Sequence, residues 1–257
     1  MHYFEKTISL LEERDVFDTI TFYRAALAAF NCQKFDKAIR YYNRCIQHKY
    51  KLADCYLDIS DAYRGINDLY DAEKWLKEAE KILPKEKNKR LSIQLANLYL
   101  AKKQFDTALI YIEIAITIKP VSAELYYTRG SIYERMGYRN QAIESYKQVL
   151  NIDSAYYDAN YNLAALYFNH AVELYNELKN TPKSQPKIED EMVLMIKNEF
   201  LNALPYIENS YRIKQDDAAV IKNLKILYEK LNITDKEIAL NKGVLMKILG
   251  KSIVKPE

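Results

Sequence analysis

The chain has 257 residues, 49% of them hydrophobic, and a formal net charge of +3. Its 38 basic residues against 35 acidic ones exclude the strongly basic surface that steers proteins to nucleic acid, and no apolar run approaches the roughly 18–20 residues of a membrane span. Only five glycines and six prolines interrupt it, a composition for an almost entirely helical chain.

The first residues, MHYFEKTISLLEERD, have no basic region, apolar core or cleavage site of an export signal. They point to the cytoplasm, or to the periplasm or exterior if a leader precedes Met1. Phe4, Ile8 and Leu11 instead form a short apolar stripe, which predicts an N-terminal half-repeat helix over 1–16. Amphipathic periodicity then predicts helix pairs over Thr19–Asn31 and Phe35–His48, Asp54–Arg64 and Tyr70–Leu83, Lys89–Lys102 and Phe105–Ile118, and Ala123–Met136 and Arg139–Ile152. A turn near Gly65, Asn67 and Asp68 divides the second pair, and Pro84 and Pro120 stop the second helices of two pairs. The run at Lys85, Lys87, Lys89 and Arg90 reads as a solvated linker.

The pairs repeat. A small residue recurs at Ala26, Ser60, Ala96, Gly130 and Ala164, at spacings of 34, 36, 34 and 34, and Ala38, Ala72, Ala108 and Ala142 each follow twelve residues later. A period near 34 is the mark of a helix hairpin that buries its apolar face only by stacking on copies of itself. The fifth pair breaks the rule, because Ala203 follows Ala164 by 39 residues, an insertion of 27. Ala164, Tyr167, Ala171, Leu174 and Leu178 form one heptad-like seam, and Val193, Ile196, Phe200, Ala203, Ile207 and Ser210 form another. The segment 157–217 is therefore one long hairpin with a loop near 180–190. A last pair, Ala218–Leu231 and Thr234–Leu249, closes the stack as a cap over 218–250, with Thr234 and Glu237 in capping-box spacing.

These residues resemble the tetratricopeptide-repeat (TPR) pattern. Ser60, Tyr63, Ala72, Leu76, Ala79 and Pro84 match it in the second pair, and Ala96, Tyr99, Ala108, Ile112, Ala115 and Pro120 in the third. Gly130, Tyr133, Ala142, Tyr146 and Val149 match it in the fourth, where Ser154 replaces the proline. The first pair departs, with Ala29 for the tyrosine and Tyr50 for the proline. The lengthened fifth pair is similar to that of some bacterial TPR proteins, many of them exported. The resemblance implies an all-α, right-handed α-solenoid of about five stacked hairpins over 19–217, forming with its end caps a single domain across 1–257.

Catalytic constellations are missing from the sequence. The glycines form no phosphate-binding loop. His2, His48 and His170 have no second metal ligand three or four residues away. The expectation is a protein that is not an enzyme and uses no cofactor or metal. By the resemblance, a stripe on each first helix lines a concave groove for a peptide or protein segment. That stripe holds Tyr23, Leu57, Ile93, Tyr127 and Tyr161 as an apolar row. Asp61, Arg64, Asn97, Ser131, Glu134 and Phe168 sit one and two turns on. The competing reading is that the row simply packs against neighbouring helices. Tyr23, Leu27 and Asp58 stand where the family's carboxylate clamp has Lys and Asn, so no clamp ligand is expected. Two other readings are a module that self-assembles through its ends or long hairpin, and a helical repeat that binds RNA. The balanced charge and apolar row weigh against RNA, and no membrane insertion is expected.

Overall fold

A computed structural model describes residues 2–14, 16–84, 87–180 and 186–233. Among them there are twelve α-helices and no strand. In order they are α1 (His2–Glu13), α2 (Thr19–Asn31), α3 (Phe35–Gln47), α4 (Leu52–Gly65), α5 (Leu69–Ile82), α6 (Lys89–Ala101), α7 (Phe105–Ile118), α8 (Ala123–Arg135), α9 (Arg139–Ile152), α10 (Tyr157–Asn180), α11 (Pro186–Ile213) and α12 (Ala218–Lys230). The closing helix over Thr234–Leu249 and the cap pattern at Thr234 lie outside the described residues, as do Lys85 and the side chain of Phe4.

Side-chain caps start several helices where the chain supplies an acceptor. Asp18, Asp68 and Asn88 each accept from the backbone N–H three residues on, at 3.0–3.1 Å. Asp217 accepts from both Ala219 and Val220. One turn recurs after α2, α4, α6, α8 and α12: a residue with positive φ, namely Gln33, Asn67, Lys103, Gly137 and Asn232. At Lys34, Asp68, Gln104 and Ile233 the next N–H returns to a carbonyl five residues back, at 2.8–2.9 Å. Gly65 has no part in that geometry. A methyl group there would come within 2.6 Å of the Phe35 ring, so its use is close approach.

Contacts divide the chain into two compact units, Met1–Met136 and Gly137–Glu257. In the first, α2–α3, α4–α5 and α6–α7 are hairpins packed in series, with α1 against α2 and α8 against α7. The recurring small residues sit at the crossings. Ala26, Ala38, Ala72, Ala96 and Ala108 are fully buried, and Ser60 donates from Oγ to the Ala72 carbonyl at 2.9 Å. Around them lie Phe22, Tyr42, Ile59, Leu76, Leu95, Leu98 and Ile112, each at most 1% exposed. Cys45 and Cys55 are part of this packing, whereas Cys32 is exposed.

In the second unit α9 packs on α10, and α10 and α11 form the long hairpin against which α12 rests. At 24 and 28 residues these two helices are about twice the length of the others. The loop is shorter than expected, because 186–190 is already helical; proline suits the first helical position, whose N–H needs no partner. The seam is buried from Ala164 to Leu174 and from Ile196 to Ser210. It does not extend to Val193, which is 51% exposed because the hairpin there projects past its neighbours.

The crossings give the first test. Ala108→Leu should destabilise the protein by about 1–3 kcal/mol through overpacking, read as a lowered urea midpoint at unchanged slope.

Candidate partner-binding faces

In the first unit a connected polar network joins α2, α4 and α6. The Tyr23 hydroxyl donates to Asp58 Oδ2 at 3.0 Å, and the Arg90 guanidinium donates to the same carboxylate. Gln94 donates from Nε2 to the Leu57 carbonyl at 3.2 Å and to Asp61. Asp61 also accepts from Arg64 at 2.8 Å and lies 3.9 Å from Arg90. Burial pushes the Asp61 carboxyl above its usual range, against the opposing pull of Arg64 and Arg90. The Tyr23 hydroxyl is likewise raised, first by burial and then by the charge of Asp58. Its ring meets Tyr42 and Tyr50 edge-on, with the Lys51 ammonium 4.8 Å from its centre.

The expected stripe residues divide. Tyr23, Asp61, Arg64 and Asn97 are partly exposed, as are Tyr127 and Ser131 on α8, and Glu134 is exposed. Leu57 does not belong with them: at 2% exposure it is core, packed with Leu91 and Leu95 where α4 meets α6. Asp58, Arg90 and Gln94 were missed as a group. The signal was present in part: Asp58 and Gln94 each follow a row residue, but pairing either with Arg90 takes the packed helices. Asp58→Ala should cost about 1–3 kcal/mol, because it strands the Tyr23 hydroxyl and Arg90, which is itself half exposed. Asp54→Ala, at a carboxylate 4.0 Å from Arg90 and 51% exposed, should stay within about 0.5 kcal/mol. Urea melts of the two variants check the contrast.

In the second unit the stripe residues Tyr161 and Phe168, with Ala165 between them on the same helix face, come together as one wall of a pocket of about 200 Å³. Ile207 of α11 and Leu227 of α12 close it, and the amides of Asn169 and Asn223 also line it. The hairpin behind is fixed at its base. Arg139 donates to Glu199 and to the Leu166 carbonyl, with its guanidinium 5.3 Å above the Tyr167 ring, which stacks on Tyr206. His170 Nδ1 lies 3.2 Å from Glu199 without hydrogen-bond geometry. At the entry to α12 the Tyr157 hydroxyl donates to Asp217 at 2.7 Å, and Lys214 lies 3.7 Å over the Tyr157 ring. Among the described residues there is no cluster of His, Cys, Asp and Glu able to hold a metal, and no helix long and apolar enough to cross a membrane.

Such hairpins, with small residues at each crossing, define an all-α helical-repeat protein. The tetratricopeptide-repeat model matches residues 21–48, 90–122 and 123–156, and these segments are tetratricopeptide repeats. A search of the curated proteins returns no match. Several solved structures share the fold. The MamA crystal structure is 20% identical, with a TM-score of 0.55 over 76% of this chain and 95% of that one. MamA 41-end from Desulfovibrio magneticus RS-1 is 16% identical, with a TM-score of 0.59 over 79% and 98%. YrrB, described as a TPR protein with an unusual peptide-binding site, is 18% identical, with a TM-score of 0.55 over 86% and 97%. The family implies a protein–protein interaction scaffold.

Proposed function

We propose that this chain is a non-enzymatic scaffold that holds a peptide or protein segment against the exposed faces of its first helices. One observation carries the reading. Tyr161, Ala165 and Phe168, spaced to share a helix face, border an open pocket instead of filling the core, with two amides beside them. An apolar side chain of the ligand enters the pocket, and Asn169 and Asn223 hydrogen-bond its backbone. In the first unit Tyr23, Asp61, Arg64 and Asn97, with Tyr127, Ser131 and Glu134 on α8, offer polar contacts that set register. The peptide-binding site ascribed to YrrB, a protein of similar fold, fits this general mode.

The test is a pull-down from cell extract with the wild type and with a Tyr127→Ala, Tyr161→Ala double variant. The variant should retain wild-type helicity by circular dichroism and lose the specific partner. Recovery of the same partners in the same yield by a fully folded variant overturns the reading. Self-assembly is the alternative, and light scattering across concentration separates it: a mass that stays at one chain rules it out.

A further inference from the structure

Beyond the first-helix faces, the second unit has another concavity. Where the long hairpin projects past the end of α12, a groove of about 530 Å³ opens along it. Its floor is apolar: Phe168 and Val172 from α10, Val193 and Phe200 from α11, Ile226 from α12 and Leu231 just past its end. That volume lies inside the roughly 300–1,000 Å³ range of ligand pockets. Val172 and Val193 are 37% and 51% exposed, so apolar surface faces water here, whereas the seam positions from Ala164 to Leu174 and from Ile196 to Ser210 are buried. The two lysines that line it, Lys197 and Lys230, are exposed, and neither forms an ion pair with a described residue.

Charge selects the occupant. The polar groups of the lining are Lys197, Lys230, Asn232 and the phenol of Tyr175, with no carboxylate among them. A segment that buries apolar side chains here and carries acidic groups at its edges meets both lysines. The chain's own residues 234–257 are a poor match, with five lysines against three acidic residues. The turn at Leu231–Ile233 is moreover the one that leads from first to second helix in the other pairs. An anionic bilayer would meet the whole projection and not the lining alone, and is opposed there by Glu173, Glu177, Glu189, Asp190 and Glu191, all exposed and all outside the lining. We propose that this groove docks the apolar face of a partner protein's helix whose flanking residues are acidic. The proposal does not depend on the first-helix reading, which involves different variants.

The probe is a fluorescent amphipathic helical peptide of about 18 residues with blocked ends, leucines at i, i+3, i+4 and i+7, and flanking glutamates. A second peptide has lysines in place of the glutamates. Both are titrated by anisotropy into the full chain. The acidic peptide should bind at least about tenfold more tightly than the basic one. Lys197→Glu with Lys230→Glu should reverse that preference. Val172→Asp with Val193→Asp, both at exposed positions, should weaken the acidic peptide by about tenfold or more at unchanged helicity. Failure of the wild type to bind the acidic peptide overturns the proposal, and so does binding that neither double variant alters. Two outcomes would overturn it by naming another occupant. One is flotation with phosphatidylglycerol vesicles by a protein that ignores the acidic peptide. The other is binding that appears only after Val244→Asp and Leu245→Asp, which would mean that the chain's own tail fills the groove.

Discussion

Everything in this molecule depends on how closely two helices approach within a hairpin. Ala26, Ser60 and Ala96 on the first helices and Ala38, Ala72 and Ala108 on the second are all buried, and side chains this small let the backbones come close. Larger side chains are thereby displaced to either side of the crossing, where Tyr42, Leu76 and Ile112 fill the space to the next pair. The hydrogen bond from Ser60 to the Ala72 carbonyl shows how tight the fit is: a hydroxyl is accepted only where backbone satisfies it. A crossing of this kind leaves the opposite faces of the first helices free for other uses.

One of those faces is spent on charge. Asp58 and Asp61 sit between Arg90 and Arg64, with Tyr23 and Gln94 completing their hydrogen bonds. Partly buried carboxylates are tolerable only when their oxygens are so occupied. Three first helices are thus tied through polar contacts on one side and apolar contacts on the other. In the second unit the same role falls to Arg139, whose guanidinium reaches two helices and an aromatic face at once.

The fold was largely legible in the sequence because spacing alone exposes a crossing: small residues 34 apart, each answered twelve residues on. Periodicity placed the starts of α2 at Thr19 and α6 at Lys89, and the caps there, Asp18 and Asn88, are seen only in the structure. The long hairpin was legible as a pair of seams, though Pro186 marks a helix start where a loop was expected. The site was less so. Tyr23 and Leu57 occupy the same place in successive pairs, yet one is partly exposed and the other is sealed against Leu91 and Leu95. That difference depends on which side chains the neighbouring helix presents, and periodicity carries no such information. The partnership of Asp58 with Arg90 spans 32 residues and appears only on packing.

The length of α10 and α11 has a bearing on where the protein gives way first. Turns near Ala171 and Ala203 are held by neighbours on several sides, whereas the stretch around Tyr175 and Leu194 has few, and both residues are close to half exposed. Amide protection along the two helices therefore declines outward, and the outer turns open at less than the global free energy. An excursion of that sort leaves the crossings intact. The projection is in this sense the part of the unit with the lowest cost of local opening.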